Sequence, residues 1–214
     1  MNKYLPLAAR FRGRGINFAI SDDDEFAHEL EDVGLGDWGE DVAVCIWTGT
    51  QFNPRYPMLE GDATNLDDLE LFVEDFLADR LTPYLKSQIE PKKQTGPVKV
   101  VVARTLQDIV FDPTKDVLLE VYAPWCGHCK ALEPVYKKLA EKYKDVPGLV
   151  IAKIDGTVND LPQGMVPKGF PSIFFVPARE GATPMPYKGD RTLEAFVEFL
   201  EEEATHSLGR KDEL

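Results

Sequence analysis

The chain has 214 residues, of which 43% are hydrophobic, 10% aromatic and 29% charged, with 16 Gly and 16 Pro. That is the profile of one large globular domain or two small ones, and it argues against a disordered chain. Its longest apolar run, Val42 to Trp47, is far short of the ~20 residues a membrane-spanning helix needs. A formal charge of −13, from 24 basic and 37 acidic residues, disfavours nucleic-acid binding, and three cysteines are too few for a disulfide-stapled scaffold.

In chain order, Tyr4 to Arg12 reads as a helix fragment with Pro6 inside it, and Ile16 to Ile20 as a strand. Asp22-Asp23-Asp24-Glu25 reads as a solvated helix start whose acids suit the dipole, leading into a helix over Glu25 to Val33. Val42 to Trp47 is an apolar strand. Its Cys45 reads as a buried apolar thiol rather than a redox partner. Leu66 to Ala78 is strongly amphipathic. Leu66, Leu69, Phe72, Val73, Phe76 and Leu77 form its buried face, and Asn65 is the expected cap.

The acid is concentrated in this first half: residues 1–90 hold 7 Lys/Arg against 19 Asp/Glu, leaving 17 and 18 for residues 91–214. A polar stretch from Gln88 to Pro97, with two prolines and a glycine, separates the halves. The connector is therefore placed at residues 91–97. Beyond it, strands are expected at Val98 to Val102, Asp116 to Tyr122, Leu149 to Ile154, Ser172 to Val176 and Met185 to Lys188. Helices are expected at Leu106 to Val110, capped by Thr105, at Cys126 to Tyr143, kinked by Pro134, and at Leu193 to Glu203. Alternating strands and helices imply an α/β sheet with helices on both faces. The first half shares only the element order of the latter part of the second, a weak internal repeat.

One segment carries chemistry: Ala123-Pro124-Trp125-Cys126-Gly127-His128-Cys129-Lys130, after an apolar strand and opening a helix. Two thiols three positions apart on a first helical turn can close a small disulfide. Free N–H groups and the macrodipole there favour a thiolate on Cys126, and His128 adds positive charge when protonated. Stabilising that thiolate makes the disulfide more oxidising, around −180 mV for isomerases against about −270 mV for thioredoxin. The other readings are a half zinc site, for which no second Cys-x-x-Cys exists, and a c-type haem site, which Lys130 in the required histidine position disfavours. No metal and no cofactor is expected.

Leu119 to Lys130, with Gly169-Phe170-Pro171-Ser172 and the C-terminal Lys211-Asp212-Glu213-Leu214, resembles the protein disulfide isomerase family. The likeness is to its cysteine-bearing active-site segment, its cis-proline loop and its retrieval signal. It covers Gly96 to Leu214 strongly, as the family's C-terminal catalytic a′ domain, and Met1 to Glu90 loosely, as a partial b′ domain. The branch it looks most like is the lectin-associated, glycoprotein-folding one. The resemblance implies a complete thioredoxin fold over residues 98–204, preceded by a partial, redox-inactive thioredoxin-like domain over residues 1–90. A flexible tail over residues 205–214 would end in the retrieval signal.

Further roles follow from the resemblance. Glu120 is the single polar residue in Val117 to Tyr122. By its sequence it is either a buried carboxyl in a central strand, costly unless neutralised or partnered, or a water-facing edge residue. The resemblance assigns Glu120 to proton exchange with Cys129 and Lys153 as its buried partner; alone, Lys153 reads as a surface lysine. Only about 5–6% of X–Pro bonds are cis, yet the resemblance implies a cis Phe170-Pro171 bond, in a loop that offers backbone groups to a bound peptide beside Trp125. Where the family commonly has arginine before this Gly-aromatic-Pro step, the chain has Lys168, which keeps the charge and loses the planar fork. Gly127 completes the site.

The activity implied is formation, reduction and rearrangement of disulfides in unfolded or misfolded secretory polypeptides in the endoplasmic reticulum lumen. Partners would include the receptor for the retrieval signal and lectin chaperones, although the acids of the first half do not suit an acidic chaperone arm. Leu5 to Ala9 is too short for an export signal and is broken by Pro6, so a fragment of a longer chain is expected. The alternatives are a thioredoxin-like reductase, or a chaperone or partner-binding module with secondary chemistry.

Overall fold

The computed structural model describes residues 3–22, 25, 27–36, 42–49 and 54–208. Asp23 and Asp24 of the acidic run, and the retrieval sequence Lys211 to Leu214, lie outside the described residues. The chain divides into two compact units, Met1–Lys86 and Ser87–Leu214.

In the first unit, helices α1 (Tyr4–Arg10), α2 (Ala27–Asp32) and α3 (Leu66–Leu77) accompany two three-residue strands, β1 (Cys45–Trp47) and β2 (Arg55–Pro57). These pair antiparallel, with Ile46 opposite Tyr56. Helix α3 starts as its sequence dictates: the Asn65 side chain accepts from the Asp67 N–H at 3.0 Å, and Leu69, Phe72 and Val73 are buried. They pack with Leu7, Phe11, Ile46, Met58 and Ala63 in one small core. The expected strand Ile16 to Ile20 does not form, and Ile20 is 67% exposed. Alternating apolar residues give a strand only where a partner edge pairs with them.

The second unit is more elaborate. It contains β3 (Lys99–Val100), α4 (Ala103–Val110), β4 (Asp116–Tyr122), α5 (Gly127–Tyr143), β5 (Leu149–Asp155), β6 (Ser172–Val176), β7 (Met185–Pro186) and α6 (Leu193–Glu203). Its sheet runs β3-β5-β4-β6-β7. Strands β3, β5 and β4 are parallel, while β6 and β7 are antiparallel to their neighbours. Thr105 stands inside α4 rather than capping it; its Oγ1 accepts the Val102 N–H at 3.2 Å.

Strand β4 is central and buried on both faces, which is why it reads as a continuous apolar run. Val117, Leu119 and Val121 join Leu106 and Val110 of α4. Leu118 points the other way, to Leu132, Tyr136 and Leu139 of α5 and Phe196 and Leu200 of α6. A strand's period of two puts Glu120 on the face of Leu118, beneath α5. By the same count Lys153, two residues from Ile151, shares that face.

At the opposite end of β4, Asp116 is fully buried. Its carboxylate accepts from the Ala178 N–H and the Thr205 N–H, both at 2.8 Å, and from the His206 N–H at 3.2 Å. Thr205 and His206, expected to open a free tail, are thus tied to the sheet. No helix among the described residues is long and apolar enough to cross a membrane.

Candidate active site

Helix α5 begins where strand β4 ends, and the Pro124-Trp125 step turns the chain between them. Cys126 is the N-cap of α5, in extended backbone, and its Sγ accepts the Cys129 N–H at 3.4 Å. A cap position needs a side-chain acceptor for the unpaired N–H groups of a first turn, and here a sulfur fills that role. Cys129 lies one turn inside, on the buried stripe with Leu132, Tyr136 and Leu139.

The two thiols are free, and their exposures are nearly equal, 8% for Cys126 and 5% for Cys129. What separates them is hydrogen bonding at Cys126 and burial at Cys129. The Cys126 thiol is held below its ordinary pKa, first by the hydrogen bond from the Cys129 side chain, with burial opposing. The backbone N–H groups of Cys129 and His128 and the charge of Arg191 lower it further. It is His128's backbone N–H that acts on Cys126, while the ring is exposed. Cys129 is pushed up to about 11, chiefly by burial and then by its hydrogen bond to Cys126. The pair is asymmetric.

Facing the thiols, the Phe170-Pro171 bond is cis. The Phe170 carbonyl accepts from Cys126 Sγ at 3.4 Å, and the Phe170 ring packs against Ala123 and both cysteines. Trp125, 71% exposed, stands edge-on to Phe170 with ring centroids 5.9 Å apart. An exposed indole beside an apolar loop is surface suited to an apolar peptide segment. Lys168 is exposed. The cation at this loop is Arg191, whose guanidinium donates to the Pro171 carbonyl at 3.0 Å.

Glu120 is 4% exposed, so of its two sequence readings the buried one holds. Burial raises its carboxyl to about 7; Lys153 and Arg191 oppose the rise and Glu133 adds to it. A groove of about 510 Å³, lined by Glu120, Cys129, Glu133 and Lys153 among others, connects this region to solvent.

Sequence reasoning missed Arg191, Glu133 and Gly156. A Cβ on Gly156 would lie 2.7 Å from Val121 Cγ1 and 3.0 Å from Phe170 Cε1, so only glycine lets the loop sit this close. At Gly127, in contrast, a Cβ would meet nothing within 4 Å. An Asp-Gly pair was the one visible mark of Gly156; Arg191 and Glu133 carried none, because each reaches the site through the fold. Cys45 belongs to the other unit, and burial pushes its thiol up to about 11. Among the described residues no group of three or more His, Cys, Asp or Glu is placed to hold a metal ion.

Residues 97–202 match the thioredoxin family model. Human protein disulfide-isomerase A4 is 48% identical over 201 residues, covering 92% of this chain and 30% of that protein. Protein disulfide-isomerase A3 from Gallus gallus is 42% identical over 207 residues, covering 95% of this chain and 41% of that protein. The solution structure of the first thioredoxin domain of mouse protein disulfide-isomerase A4 aligns at 32% identity and a TM-score of 0.44, covering 57% of this chain and 83% of that one.

These findings correct the expected placement. The A4 protein exceeds the lectin-associated A3 protein in identity, so a special likeness to the lectin-associated branch is not supported. Nor is the assignment to a C-terminal b′-a′ portion of that branch kept. The chain spans about a third of the length of the curated relatives it matches. Residues 97–202 form a complete thioredoxin-fold domain, in a chain homologous to protein disulfide-isomerases.

Proposed function

We propose that the chain forms, reduces and rearranges disulfide bonds in unfolded or misfolded secretory polypeptides through the Cys126-Gly127-His128-Cys129 dithiol. The observation that carries this reading is the asymmetry of the pair, with the thiol at the helix cap lowered by hydrogen bonds from its partner thiol and the first-turn N–H groups, and the other raised by burial to about 11. A nucleophile needs thiolate at neutral pH, and a resolving thiol must wait until its proton is taken.

In the proposed cycle the Cys126 thiolate attacks one sulfur of a substrate disulfide. A Cys126–substrate disulfide forms, the substrate S–S bond breaks, and the departing thiolate takes a proton from water. Cys129 then gives its proton to Glu120 and attacks Cys126 Sγ, closing the Cys126–Cys129 disulfide and expelling the second substrate thiolate. Substrate is reduced and the enzyme oxidised; the reverse sequence forms a disulfide. Rearrangement follows when another substrate thiolate resolves the mixed disulfide first. Glu120, raised to about 7, divides its time between acid and base near neutral pH. Trp125, Phe170 and Pro171 would hold the peptide, Lys153 and Arg191 supply local positive charge, and Lys168 the outer charge of the loop.

The proposed setting is the endoplasmic reticulum lumen, with the receptor for Lys211-Asp212-Glu213-Leu214 as a partner. Lectin chaperones are left out of the partners: residues 1–90 hold 19 acidic and 7 basic side chains, poorly suited to an acidic chaperone arm. Reactivation of scrambled ribonuclease and reduction of insulin, with and without both active-site cysteines, test the reading. Loss of both activities in the Cys126→Ala/Cys129→Ala variant is expected. A reductase would retain insulin reduction without reactivating ribonuclease, and a holdase would keep its effect without the cysteines.

A further inference from the structure

Lys153 stands directly opposite Glu120 in the parallel register of β4 and β5, on the face covered by α5. That placement suits a buried ion pair. The side chain goes elsewhere: Lys153 Nζ lies 3.7 Å from Glu133 Oε1 on α5 and 5.2 Å from the centre of the Tyr122 ring. The Glu120 carboxyl makes no hydrogen bond or ion pair to another described residue. One ammonium therefore has two carboxylates to choose from, a buried one and an exposed one, and it faces the exposed one.

We propose that Glu133 is a positioning residue for the proton relay, holding the Lys153 ammonium at the mouth of the groove so that Glu120 stays unpaired. Physical reasoning supports the preference. Pairing Lys153 with Glu120 would draw the ammonium from water into the buried layer, and the loss of hydration offsets much of the attraction. A second carboxylate at the mouth lets the lysine keep both its hydration and a partner. Glu133 is suited to this, with its side chain 66% exposed against 27% for that of Lys153. It follows Leu132 on α5 and lies one turn beyond Cys129, so the helix that carries the thiols also carries the residue that steers the lysine.

The effect on Glu120 has a definite sign. Glu133 raises its proton affinity directly, as a like charge, and indirectly, by withholding Lys153. The other titratable groups facing Glu120 are Cys129 and Tyr136 from α5, Tyr122 from its own strand and Arg191 from the segment before α6. Strand β6 faces it with Ile173, which does not titrate. Lys93, Lys130 and Lys137 line the groove, and none makes an ion pair with either carboxylate among the described residues. Glu133 is thus the one group whose loss both removes repulsion and frees a cation.

The inference rests on the reading that Glu120 is the proton acceptor for Cys129, and its test separates the two. In the reduced full chain, carboxyl-labelled glutamate allows the Glu120 titration to be followed by carbon NMR, with Glu120→Gln identifying its signal. Glu133→Gln should lower the Glu120 midpoint by about one pH unit, a tenfold loss of proton affinity. Glu133→Asp, which keeps the charge, should fall between. In a Lys153→Met background the same Glu133→Gln change should move the midpoint by less than half as much, since the lysine through which it acts is gone. An unchanged Glu120 midpoint in Glu133→Gln, or an equal shift in both backgrounds, overturns the proposal. Mixed-disulfide release, measured across pH, should shift in parallel. A titration that moves while release does not would uphold Glu133's effect and count against Glu120 as the acceptor.

Discussion

The chain holds cysteines in two settings, a half-buried one in the first unit and a buried one at the start of α5, and the contrast bears on what lowers a thiol's pKa. Cys45 sits in a three-residue strand of a two-stranded sheet, where burial raises it to about 11 and its Sγ contacts the Ile46 carbonyl at 3.5 Å. Cys126 is also mostly buried, yet its pKa moves the other way. The difference is donors. Cys126 receives a hydrogen bond first from the Cys129 thiol and then from the N–H groups of a helix start, and it lies near a guanidinium. Burial by itself keeps a thiol protonated; hydrogen-bond donors at a helix start favour its thiolate.

The largest expected effect tests this contrast directly. Cys126→Ala should reduce disulfide exchange to the uncatalysed level, whereas Cys45→Ala should leave turnover unchanged in the same insulin assay. A comparable loss from Cys45→Ala would break the comparison. Next, Glu120→Gln should slow mixed-disulfide release by about 100-fold, the scale of general acid–base help, with the first attack nearly unaffected. Stopped-flow separation of the two steps checks this.

Two stability effects follow. Glu120 has a folded pKa raised above its usual 4.5 to about 7, so the folded state holds a proton that the unfolded state has lost between those values. Stability should therefore fall as pH rises from about 4.5 to 7 and level off above. Glu120→Gln should remove that slope, gaining about 3 kcal/mol at pH 8 relative to pH 4, by urea denaturation. Asp116→Ala should cost about 3 kcal/mol, because three backbone N–H donors lose their buried acceptor.

The smallest effect compares the units themselves. Amide exchange should be faster in β1 and β2 than in β4 and β5, since two strands of three residues offer little protection. Equal protection factors would show that the first unit is as cooperative as the second.

Much of the second unit was legible because strong local patterns agree with the tertiary result. The spans of β4, β6 and α6 coincide with the apolar runs that predict them, and Asn65 caps α3 as its side chain requires. In the first unit the strand expected at Ile16 to Ile20 failed and β2 went unforeseen, because pairing partners, rather than propensity, decide short strands. At the site, the thiols, the proline loop and Glu120 stand out in sequence. Arg191, Glu133 and Gly156 do not: a salt link, a close approach and a backbone contact arise only when distant segments meet. His128 was assigned electrostatic help through its ring, and the group acting on Cys126 is its N–H.

Two thiols of nearly equal exposure should differ in reactivity, because the Cys129 thiol and the N–H groups of the helix start favour the Cys126 thiolate while burial holds the proton on Cys129. Alkylation of the fully reduced protein by iodoacetamide from pH 4 to 10, quantified by peptide mass spectrometry, measures it. Cys126 should be modified with a midpoint below the ordinary thiol range and at least about 100-fold faster than Cys129 at pH 6. Equal rates for the two, or a Cys126 midpoint at or above that of Cys45, would contradict it.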